Sequence, residues 1–147
     1  MNTKVISAVI VASVLFIGCS KKSTPATSSD VVTKFIATDW SARPLFPASS
    51  VLNLSEDQFK ALPIADEQAK SSEMISQLAA VRKSAAAVFE AGDRAIASGD
   101  VAQARKCFMS VKQCGEALDS TNCLDLVRLV GQGFEKRADA GLAKIGP

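Results

Sequence analysis

From about residue 72 to residue 145, apolar and small residues recur in steps of four and three. That period makes the stretch helical almost throughout. Met74, Leu78, Val81, Ala85, Val88, Gly92 and Ala95 form one stripe, which Ile75, Phe89 and Ile96 widen. Arg82, Lys83, Glu90 and Asp93 lie outside it, as they should on a helix with one buried face. Ser98-Gly99-Asp100 interrupts the pattern. Glycine there permits the left-handed residue that ends a helix, and Asp100 can cap the next one with Gln103 behind it. Val101, Ala104, Phe108, Val111, Gly115 and Leu118 then carry a second stripe. After a turn at Asp119 to Asn122, Cys123, Val127, Val130, Phe134, Ala138, Gly141 and Ile145 carry a third. Short turns force consecutive helices to run antiparallel, so the expected core is an all-α, three-helix, up-down-up arrangement over residues 66–147.

The segment before it, residues 31–65, reads as irregular with one short helix. Val31, Val32, Phe35 and Ile36 suit either a helix capped by Asp30 or a short strand. Pro44 and Pro47 punctuate an extended piece bearing Trp40, Leu45 and Phe46. Ser55 has the character of an N-cap with Gln58 as its capping-box partner, Leu54 and Phe59 stand at staple positions, and Glu56 and Asp57 favour the positive end of the helix dipole. This helix must stop before Pro63. Trp40, Phe46 and Phe59 are candidates to line a ligand groove; the alternative is that they cover the open face of neighbouring helices.

At the other extreme of the chain, Lys4 precedes an apolar run from Val5 to Ile17, broken only by Ser7 and Ser13. About 13 residues at ~1.5 Å each reach roughly 20 Å, short of the ~30 Å hydrocarbon core, so the run suits a cleaved leader better than a permanent span. Leu15-Phe16-Ile17-Gly18-Cys19 closes it with an apolar pair, a small residue and a cysteine. This resembles the lipobox of bacterial lipoproteins, with Phe16 where leucine is commonest. The resemblance implies cleavage after Gly18, leaving residues 1–18 as signal peptide, and acylation of Cys19 on sulfur and nitrogen. Several acyl chains on one residue anchor stably where a single chain does not. Ser20, in place of an aspartate, implies by the same resemblance an outer-membrane location facing the periplasm. Residues 19–30 then form a lipidated tether, too polar and Ser/Thr-rich to order itself.

Composition excludes more than it suggests. In 147 residues there is no histidine and no tyrosine. The missing histidine removes Ser-His-Asp and Cys-His catalysis, as well as metal or haem ligation through imidazole. Lys+Arg 17 against Asp+Glu 15 leaves no basic footprint for nucleic acid. Gly131-Gln132-Gly133 lacks the third glycine of a dinucleotide fingerprint, so close helix packing is its expected role. Glu135 to Asp139 reads as an exposed, salt-linked face. No cofactor or metal site is expected, nor an enzyme, since the carboxylates fall on solvated faces.

With Cys19 acylated, Cys107, Cys114 and Cys123 remain. Cys107 and Cys114 are two helical turns apart, about 10 Å, beyond the ~7 Å limit for a disulfide. Cys114 and Cys123 flank the second turn, so in an oxidising envelope they are the expected bridge, with Cys107 a buried thiol.

The first two helices of the regular region resemble one tetratricopeptide repeat. Gly92 occupies the small position of its first helix, Gly99 its turn, and Ala104 and Phe108 the alanine and aromatic of its second. Val88, Ala95 and Val101 depart from the large aromatics of the family, and Glu116 replaces its closing proline. The match covers about one 34-residue period, with the third helix as a cap. The resemblances together imply a membrane-anchored interaction module presenting a helical groove to another envelope protein or a peptide. A small structural lipoprotein, or a carrier of a small apolar ligand, is the alternative.

Overall fold

The computed structural model describes residues 28–119 and 123–146, so the leader, Cys19 and most of the expected second turn lie outside the described residues. Among the described residues the fold is all-α, with no strand. Helix α1 spans Ser28–Ala37, α2 Glu56–Lys60, α3 Ile64–Ala97, α4 Val101–Leu118 and α5 Asp125–Ile145, with a 3-10 turn at Val51–Asn53. The ambiguous stretch around Val32 and Phe35 is therefore helix, and both residues are buried.

The two short-range sequence signals that are strongest chemically both appear. Ser55 and Gln58 form the reciprocal capping box, at 3.2 and 2.9 Å. At the α3–α4 turn, Gly99 adopts φ 77°. Its N–H and that of Asp100 close back on the carbonyls of Ile96 and Ala95, which is a Schellman ending. Asp100 then accepts the Gln103 N–H at 2.9 Å and starts α4. One glycine and one aspartate thus reverse the chain.

Helices α3, α4 and α5 share one buried core, which includes Ala85, Val88, Phe108, Val111, Leu118, Val127 and Ala138. The Phe108 ring sits between two glycines. A Cβ on Gly92 of α3 would lie 2.8 Å from it, and one on Gly141 of α5 would lie 2.5 Å away. Gly115 and Gly131 allow the second close approach, since a Cβ on either would lie 2.7 Å from the other's carbonyl oxygen. Backbones of α4 and α5 therefore touch directly. Gly133 departs from its expected role: a Cβ there meets nothing within 4 Å.

Two members of the expected stripes face solvent. Ile75 is 61% exposed and Val101 45%. Helix α3 also begins at Ile64, well before its periodic pattern, with Asp66 and Glu67 in the first turn where the dipole favours them. The segment from α1 to α2 is not a separate unit: Val32, Phe35, Phe46, Val51 and Leu52 belong to the same buried cluster as the three long helices.

Candidate functional site

Trp40 and Phe46 border different clefts, and Phe59 borders neither. Trp40 is half-buried against α1, its ring 4.6 Å from that of Phe35. Its indole N–H donates to Ser110 Oγ at 3.4 Å, and that hydroxyl donates onward to the Phe35 carbonyl at 3.3 Å. Ser110 is a buried polar residue on the inner face of α4, and this relay ties the α1 end to it. Phe46 is thus part of the core, and Trp40 and Phe59 pack half-buried against it, Phe59 from α2.

Two shallow clefts lie beside them. One, of about 380 Å³, has Leu45, Phe46, Leu52, Leu118 and Val127 in its walls, with Arg43, Asn53 and Cys123 as its polar members. The other, of about 410 Å³, is more polar and includes Trp40, Asp39, Gln113 and Glu116. Arg43 borders both. One of its guanidinium nitrogens donates to the Trp40 and Ala42 carbonyls, at 3.1 and 3.0 Å. Asn53 Nδ2 donates to the Phe46 and Pro47 carbonyls, which stiffens the wall of the apolar cleft. Ser41 bonds to Asp39 through its side chain and its backbone N–H, and these bonds hold that carboxyl below its ordinary value. Sequence reading missed Arg43 and Ser110. Ser110 left one trace, a polar residue between Cys107 and Cys114 on an otherwise apolar face.

The expected Cys114–Cys123 bridge is absent. All three described cysteines are free thiols. Cys114 is fully buried on the inner face of α4, whereas the Cys123 thiol turns to the Leu118 carbonyl at 3.1 Å. The thiols flank the same turn but have different surroundings, so proximity in sequence does not pair them. Burial pushes all three thiols above their ordinary value, Cys114 most strongly. Gln103 donates weakly to Cys107 at 3.7 Å and offsets part of the effect there.

Lys136, Arg137 and Asp139 are exposed as expected, and Glu135 departs from that face. Asp139 pairs across the helices with Lys112 of α4 at 2.7 Å, and that pair raises the lysine. Glu135 lies over Gly115, and its Oε1 is shut off from solvent without a hydrogen-bond partner. Burial raises its carboxyl, and the charges of Asp119, Glu116 and Asp139 add to the effect while Lys112 opposes it. Nearby, Arg137 lies over the Phe89 ring at 4.2 Å. Among the described residues no group of histidine, cysteine and carboxylate side chains is arranged to hold a metal ion.

The chain matches no protein-family model, no curated protein and no solved structure.

Proposed function

We propose that this chain is a lipid-anchored protein of the bacterial cell envelope whose helical domain binds a protein partner rather than transforming a substrate. The observation that carries the reading is Leu15-Phe16-Ile17-Gly18-Cys19 at the end of an apolar run too short to span a bilayer. No helix among the described residues is long and apolar enough to cross a membrane. In this reading, attachment rests on acyl chains at Cys19. The nine peptide steps from Cys19 to Ser28 reach at most about 30 Å, which keeps the helical body close to the lipid surface. Ser20 favours the outer membrane, with the domain in the periplasm.

The absence of histidine supports a binding role over catalysis. So does the chemistry of the thiols, which burial keeps protonated and therefore poorly nucleophilic. The seating of Phe108 against Gly92 supports a tetratricopeptide-like hairpin, a geometry suited to displaying helix surfaces to a partner. The test is metabolic labelling with palmitate in cells expressing the chain or its Cys19→Ser variant. Label and membrane association should both disappear in the variant; label retained at wild-type level would refute the anchor.

A second reading, the carrier of a small apolar ligand, has the 380 Å³ apolar cleft in its favour. Cys123 in its wall is a built-in reporter. An apolar ligand in the cleft should slow alkylation of that thiol, and an unchanged rate at saturating ligand would discard the reading.

A further inference from the structure

Helix α3 is 34 residues long, against 18 for α4 and 21 for α5. Its N-terminal end outruns its neighbours: every residue from Pro63 to Ala69 is exposed. A bare helical end of this kind is marginal in water, because most helix stability in proteins comes from packing one face. Yet Ile64 at the tip is 85% exposed, and Ile75 three turns on is 61% exposed. Ile64, Ile75 and half-buried Ala86 are spaced by eleven residues, almost three whole turns, so they lie nearly in line along one face. From Ile64 to Ala86 that line runs about 33 Å.

The charges beside this line have opposite signs at its two ends. Glu67 stands near Ile64 and Arg82 near Ala86. Both are exposed, and neither makes an ion pair among the described residues. We propose that this face of α3 pairs antiparallel with the same face of a second copy, about a two-fold axis at Ile75. Such an isologous contact sets Ile75 against its own counterpart and Ile64 against Ala86 of the other copy. Glu67 of each copy comes within a residue of level with Arg82 of the other, so the pair occurs twice. Exposed ion pairs add little affinity, but they choose orientation. Parallel pairing would bring Glu67 against Glu67 and Arg82 against Arg82. The pairing covers the exposed isoleucines and gives the first turns of α3 a neighbour. It does not depend on the lipid anchor, although confinement to a membrane would raise the effective concentration of copies.

Cysteine scanning in the full-length chain tests both contact and direction, with the wild-type chain as baseline for its own thiols. Under mild oxidation Ile75→Cys should give a disulfide-linked dimer. Ile64→Cys should not, whereas Ile64→Cys combined with Ala86→Cys should. These positions are exposed or half-buried, and helical circular dichroism confirms folding. In sedimentation equilibrium Ile75→Glu should weaken the dimer at least tenfold. Glu67→Arg should weaken it too, and the double exchange Glu67→Arg with Arg82→Glu should restore it. A wild-type chain that stays monomeric would overturn the proposal. So would a dimer that Ile75→Cys fails to crosslink, self-linkage of Ile64→Cys, or crosslinks only to a different protein.

Discussion

Two glycines two residues apart in α5 should respond to the same substitution with opposite signs. In a helix interior, glycine is about 1 kcal/mol worse than alanine, so Gly→Ala starts with that advantage at either site. At Gly133 nothing lies within 4 Å of the added Cβ, and the advantage survives. Gly133→Ala should stabilise the protein by about 0.5–1 kcal/mol. At Gly131 the added carbon falls 2.7 Å from the Gly115 carbonyl oxygen and 2.9 Å from the Asp119 nitrogen. Both are backbone atoms of the α4 end, which cannot rotate away as a side-chain tip can. Overpacking costs about 1–3 kcal/mol where side chains yield, and the upper end applies where helices must separate. Subtracting the propensity advantage leaves Gly131→Ala destabilised by about 1–2 kcal/mol. The two variants should therefore differ by about 2 kcal/mol or more in urea unfolding followed at 222 nm. For a body of this size, that is roughly 6–10 °C in Tm. If Gly131→Ala is as stable as wild type, or if both variants shift in the same direction, the direct backbone contact between α4 and α5 is wrong.

Three further outcomes follow from the packing and the electrostatics. Phe108→Ala should cost about 3–5 kcal/mol: the ring is 2% exposed and its glycine neighbours have no side chains with which to fill the void. An unchanged Tm would show that the ring is not central. Burial raises the Glu135 carboxyl, so the folded protein holds that proton more tightly than the unfolded chain, and stability falls as pH rises through and above the ordinary value of 4.5. Glu135→Gln should accordingly raise Tm at pH 7, and its advantage should shrink once the pH drops below that value; an advantage independent of pH would contradict the assignment. Iodoacetamide should label Cys123 in the native protein and reach Cys107 and Cys114 only after unfolding, since both are fully buried. Peptide mapping that finds Cys114 labelled as fast as Cys123, or the two joined, would reject the free-thiol arrangement.

What the sequence determined by itself was local. The period of four and three identified the helices, and the Ser55–Gln58 box and the Gly99–Asp100 turn were legible because their chemistry closes within a few residues. The small residues at Gly92 and Gly131 signalled close packing, and the stripe placed Phe108 inside. The tertiary structure decided whatever depends on which neighbour arrives. Ile75 widens the stripe by spacing yet is exposed: Met74 beside it packs against the core, so the neighbours reach this level of α3 but cover only part of the stripe's width. Gly131 and Gly133 look alike in the chain, and only the crossing with α4 separates a contact from open space. Trp40, Phe46 and Phe59 could be grouped as aromatics but not located, since no period governs the segment that carries them. Cys114 and Cys123 flank one turn, but the direction of each thiol is set by the core on one side and by the Leu118 carbonyl on the other. Glu135 has the sequence of a solvated face. It is half-buried instead, with Oε1 shut off from solvent, because its Cγ lies where a side chain on Gly115 of the opposite helix would stand, a cause twenty residues away that only the packing of α4 on α5 brings to bear.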